Sequence, residues 1–85
     1  VKDKLARPAA PLGDVYAALR AEFPEAAADT QDGLRLSWRD RWVHVRPSGT
    51  EPIVRVIAEA PTKGDADALV ARSRVPLDAL AASAA

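Results

Sequence analysis

The stretch DGLRLSWRDRWVHVRPSGTEPIVRVIAEA, Asp32 to Ala60, alternates apolar and polar side chains through three successive runs. Leu34, Leu36 and Trp38 alternate with Arg35, Ser37 and Arg39. Val43 and Val45 alternate with Trp42, His44 and Arg46, and Val54, Val56 and Ala58 alternate with Arg55 and Ile57. A period of two sends one set of side chains to each face of a sheet, so each run reads as a strand with one buried face. A short polar turn around Asp40 joins the first two runs as a hairpin, and the turn PSGTEP leads from the second to the third.

Helices bracket this stretch. In PLGDVYAALRAEFPEA, Leu12, Val15, Tyr16, Leu19 and Phe23 recur at helical spacing, with Pro11 ahead of the helix and Pro24 closing it. TKGDADALVARSR predicts a second helix with Thr62 as its N-cap and Asp65 and Asp67 near the positive end of its dipole. Pro76 is expected to break or kink it, and the alanine-rich end LAASAA reads as a fraying helix end. VKDKLA, residues 1–6, alternates charged and apolar residues and could be a leading strand, followed by the connector RPAAP. The order gives an α+β domain: an antiparallel sheet of three to four strands with two helices packed on one face.

Composition limits the function. At 85 residues the chain makes one small domain, spanning 1–85, and its start at Val1 reads as a cut from something longer. Cysteine is absent, which points to a reducing, cytoplasmic setting, and a single histidine, His44, with scattered acids leaves no metal site in prospect. No apolar run reaches a membrane span and no charged-then-apolar leader opens the chain, so no membrane partner is expected. Lys+Arg and Asp+Glu both total 12, a balance that argues against nucleic acid as a partner. The balance is uneven along the chain, because Asp32 to Arg55 holds five arginines (35, 39, 41, 46, 55) against three acids (32, 40, 51).

That local excess surrounds RPSGTEP. If Val43, Val45, Val54 and Val56 face the helices, Arg46 and Arg55 point together to the opposite face and flank a turn that offers Ser48, Thr50 and backbone N–H groups. Gly49 would let the backbone come close to a ligand. Paired guanidiniums and hydroxyls suit the oxygens of a phosphate. The same residues read equally well as turn chemistry beside solvated arginines. A lysine-bearing phosphate loop is excluded, because no G-K-S/T follows the glycine and the turn enters a strand. Ser48 as a nucleophile lacks an evident base with an orienting carboxylate, and Asp65 and Asp67 are explained by helix capping.

The stretch from Asp32 to Ala60 resembles the C-terminal domain of the α-D-phosphohexomutases, the phosphoglucomutases, phosphomannomutases and phosphoglucosamine mutases. The resemblance rests on the DG opening the hairpin, the loop RPSGTEP, the arginine in PIVR and the strand ending AEA, with the weaker KDK at residues 2–4. It implies a TATA-binding-protein-like fold. It further implies that Arg46, Ser48, Gly49 and Thr50 contact the phosphate of a phosphosugar substrate, with Arg55 in support, while a phosphoserine elsewhere moves phosphate between the anomeric and primary hydroxyl oxygens. The family domain closes over substrate by a hinge before its first strand. The family's S-H-N-P serine loop, D-G-D magnesium loop and G-E-M-S-G sugar loop are absent from these residues. The expectation is therefore a domain that binds no cofactor and has no catalytic residue of its own, with magnesium and the other domains of the same chain supplied by a longer protein. The rival readings are a small nucleic-acid or protein-binding module using the open sheet face around Trp42, His44 and Arg55, and a free-standing phosphosugar sensor.

Overall fold

A computed structural model describes residues 1–83. Strand β1 (Lys2–Ala6) leads to helix α1 (Leu12–Glu22); β2 (Ala27–Asp29), β3 (Leu34–Ser37), β4 (Trp42–Pro47) and β5 (Ile53–Glu59) follow, and α2 (Lys63–Ser83) closes the domain. All pairings are antiparallel and the order is β1-β5-β4-β3-β2, so the first strand adds beside the last and β4 is central. The expected α+β architecture holds, with five strands rather than three to four.

The alternation sorts the faces as the sequence requires. Leu34, Leu36, Val43, Val45, Val54, Val56 and Ala58 are essentially without solvent contact and meet Val15, Leu19 and Phe23 of α1 and Leu69, Val70 and Leu77 of α2 in one cluster. Burying a side chain of this size stabilises by roughly 1.5–3 kcal/mol. Both helices therefore cover one face, and Lys4, Arg55 and Arg46 lie exposed on the other.

The additional strand, β2, escapes the pattern because it is three exposed residues, Ala27, Ala28 and Asp29, with neither β-branching nor alternation. Its pairing with Ser37, Leu36 and Arg35 places it. Just before it, α1 stops as Pro24 demands: a residue preceding proline is driven out of the helical region, and Phe23 has φ −120° and ψ 62° while its N–H still bonds the Leu19 carbonyl.

Thr62 caps α2 as expected, its hydroxyl accepting the Asp65 N–H at 3.1 Å, and Lys63 pairs with Asp67 at 3.0 Å. Pro76, however, does not break α2, which runs on to Ser83; Ala84 and Ala85 of the expected frayed end lie outside the described residues. A proline costs the helix one hydrogen bond and a clash, about 3 kcal/mol. Packing on both sides outweighs that cost here. Leu69 and Val70 before the proline and Leu77 after it are buried. The Arg72 guanidinium meets Glu22 at 3.2 Å and Glu25 at 3.0 Å and lies 4.3 Å from the Phe23 ring centroid, tying α2 to the end of α1. Hydrogen bonds donated to its carboxylate, first by its own backbone N–H and then by Arg72, hold the Glu25 carboxyl below the usual glutamate range. Trp38 completes this corner, donating its indole N–H to Glu25 and packing edge-on to Phe23 at 5.3 Å.

Candidate functional site

β4 and β5 form a hairpin whose loop, residues 48–52, hangs beyond the edge of the core. Register puts Arg46 directly opposite Arg55, so the two guanidinium-bearing positions share the open face, about 5 Å apart at Cα. The sequence pattern anticipated the shared face; the exact pairing required the structure.

Within the loop, hydrogen bonds settle what each group has to offer. The Ser48 N–H donates to the Ile53 carbonyl at 3.0 Å, closing the hairpin. The Ser48 hydroxyl oxygen accepts the N–H groups of Thr50 at 3.3 Å and Glu51 at 3.2 Å, a serine turn that holds the loop in shape. The expectation of several outward N–H groups is thereby narrowed: among the described residues only the Gly49 amide in this run has no partner. Ser48 retains its own O–H proton to donate, and a Cβ built on Gly49 would meet nothing within 4 Å. The fold does not require glycine there. A concavity of about 300 Å³ results, bounded by Ser48, Gly49 and Thr50 at one end and by Arg46, Arg55 and His44 along the sheet. A larger groove of about 490 Å³ between α1 and β2 is lined by Ala17, Phe23, Ala28 and Leu36, with Arg20 its one charged residue, and lacks the convergent donors of the loop.

Sequence reading missed what stands behind Arg46. Asp32, at the entrance to β3, pairs with the Arg46 guanidinium at 3.3 Å, and its carbonyl is hydrogen bonded to the His44 ring. Both partners are more than half exposed, 55% and 68%, so the pair orients Arg46 more than it stabilises the fold. Gly33, next to Asp32, adopts φ +70°, and a Cβ there would lie 2.5 Å from the Val45 carbonyl oxygen and 2.8 Å from Arg46 Cγ. The DG pair thus lets the β2–β3 turn lie against β4 beneath Arg46. Only the strand register shows that an acid fourteen residues upstream reaches this arginine.

The remaining candidates resolve. His44 is engaged by the Asp32 backbone and the Ser48 hydroxyl by the loop amides, so no nucleophile and base are joined here. The Arg35 guanidinium lies over Trp42 on the open face, 4.6 Å from its ring centroid. Among the described residues no group of three or more His, Cys, Asp or Glu side chains could hold a metal ion, and no helix is long and apolar enough to cross a membrane.

Comparison with known proteins places the chain in a family. A family model described as phosphoglucomutase/phosphomannomutase, C-terminal domain, matches residues 1–74. A probable phosphoglucosamine mutase of Methanocella arvoryzae is 40% identical over 62 residues, 71% of this chain and 14% of that protein. A phosphoglucosamine mutase of Methanococcus aeolicus is 58% identical over 36 residues, covering 42% and 8%, and a phosphopentomutase of Thermococcus kodakarensis is 44% identical over 57 residues, covering 66% and 12%. The chain spans 14% or less of the length of these three relatives.

Proposed function

The chain belongs to the phosphoglucomutase/phosphomannomutase C-terminal domain family, and from that premise we propose that residues 1–85 hold the substrate phosphate in a longer, cytoplasmic phosphosugar mutase. The observation that carries the proposal is the pairing of Arg46 with Arg55 at the mouth of the serine-turn loop. Two forked cations there face a hydroxyl proton, a free amide and a concavity of about 300 Å³. Charge-assisted bonds of this kind contribute roughly 1.5–3 kcal/mol each.

In this reading the Arg46 guanidinium leaves or shares Asp32 to grip two phosphate oxygens, the Ser48 and Thr50 hydroxyls and the Gly49 N–H donate to the same group, and Arg55 adds charge from the neighbouring strand. The phosphate held is the one that does not react. Its binding energy orients the far end of the sugar for phosphoryl transfer between the anomeric and primary hydroxyl oxygens, carried out on a phosphoserine in another domain. Magnesium, where the full protein uses it, belongs to those other domains; the donor set here does not suit it. The relatives' names include both glucosamine and pentose mutases, which fits a domain that reads the phosphate and leaves the sugar to other loops.

The test is a phosphosugar titration followed by amide shifts. Binding is expected to be weak, since most of the cleft is absent, with the largest changes at Ser48, Gly49 and Thr50. Largest changes on α1 or α2, or tighter response to an RNA oligonucleotide than to the phosphosugar, would overturn the assignment. Mixed with glucose 1-phosphate, its bisphosphate and magnesium, the 85-residue chain is expected to leave the substrate unchanged.

A further inference from the structure

We infer that Lys4 is a third cation of the anion site, acting across β5 from β1; the inference rests on the phosphate reading of the loop. Lys4 is in register with Arg55, and Arg55 with Arg46, so three positive side chains stand in one row over three adjacent strands. All three are exposed on the open face. Lys2 stands one step along the same face of β1, opposite Ile57. A second concavity of about 450 Å³, lined by Lys2, Asp3, Lys4, Arg55, Val56 and Ile57, borders the loop's concavity, the two having Arg55 and Ile57 in common.

The row is electrostatically costly in the free domain. Like charges placed directly opposite across a ladder destabilise it. Asp32 relieves only Arg46; among the described residues no carboxylate lies within ion-pair distance of Lys4 or Arg55. The Asp3 carboxylate beside Lys4 accepts the Lys4 backbone N–H and turns to Arg74 of α2 at 3.4 Å. A doubly charged phosphate seated between Arg46 and the loop supplies the missing counter-charge. With strands about 4.8 Å apart, Lys4 Cα lies about 10 Å from that of Arg46, within reach of its long side chain and about one screening length at 0.1 M salt. One feature therefore weakens the empty domain and strengthens the loaded one.

That opposition of signs is the test. Inorganic phosphate is titrated at constant ionic strength into the 85-residue chain, its Lys4→Gln and Lys4→Arg variants, and Arg46→Ala, reading amide shifts at Ser48, Gly49 and Thr50, and each is melted at low salt without phosphate. Lys4→Gln is expected to raise Kd about three- to tenfold while raising the phosphate-free Tm by about 1 to 5 °C. Lys4→Arg is expected to keep both wild-type values. An unchanged Kd in Lys4→Gln, with normal loop shifts in the wild type, overturns the inference alone. A weakened Kd with a lowered Tm assigns the loss to damage of the fold and overturns it too. Absence of loop shifts in the wild type overturns the phosphate reading and the inference with it.

Discussion

Replacing Gly33 by alanine tests how the turn beneath Arg46 is built. The backbone there has φ +70°, and the new Cβ would sit 2.5 Å from the Val45 carbonyl oxygen, an atom of the central strand that cannot step aside alone. A left-handed conformation costs a non-glycine residue about 1–2 kcal/mol. Forcing a methyl group into occupied space adds about 1–3 kcal/mol. The stiffer unfolded chain returns about 0.4–1 kcal/mol. The net loss is about 1 to 4.6 kcal/mol, which for a domain of this size lowers Tm by about 4 to 37 °C. Thermal unfolding followed by circular dichroism reads this directly. Gly33→Asn divides the cost, since asparagine tolerates the left-handed region yet carries the same Cβ, and is expected to lose about 1 kcal/mol less than alanine. A Gly33→Ala chain melting within 2 °C of wild type would refute the steric argument, and an asparagine variant equal to wild type would show that the close approach to Val45 is harmless.

Other outcomes follow from the same geometry. In the full-length protein, if the proposed phosphate role holds, Arg46→Ala is expected to weaken phosphosugar binding more than Arg55→Ala, with Arg46→Lys a partial rescue because charge returns without the fork; KM and kcat beside Tm check this, and normal kinetics in Arg46→Ala would remove it from the site. Gly49→Ala, with open space around its Cβ, is expected to leave folding stability within about 0.5 kcal/mol of wild type, read as a nearly unchanged Tm, while raising KM in the full-length protein if the proposed phosphate approaches Gly49. The Glu25 carboxyl is held low by its own backbone bonds and Arg72, so its stabilisation is complete above the unfolded-state value and is lost as pH falls through the folded one; Tm is expected to drop in that acid window, less steeply in Glu25→Gln.

Much of this was legible because period-two patterning is local. Val43 and Val45 against His44 and Arg46 fixed the faces of the central strand, and Pro11, Pro24 and Thr62 marked the helix bounds by steric and capping rules that act within a few residues. Three features were hidden for one shared reason. The Asp32–Arg46 pair, the Lys4–Arg55–Arg46 row and β2 are products of register between segments, and no single segment carries that information. Pro76 is the converse case. The local rule predicts a break, but contacts made by Leu69, Val70 and Leu77 with the sheet and by Arg72 with Glu22 and Glu25 carry the helix past it.

An open antiparallel sheet has two rims that can recruit a foreign strand, and here both are poorly suited to it. On one side β2 offers three residues, too short a template for a stranger to anneal in register, and ends in a charged Asp29. On the other, β1 alternates Lys2, Asp3 and Lys4, so an incoming strand would meet charge at three successive positions. The exposed sheet face is thereby protected from growing sideways into aggregates, and Lys4→Gln, which would relieve repulsion within one molecule, would also soften the barrier between molecules.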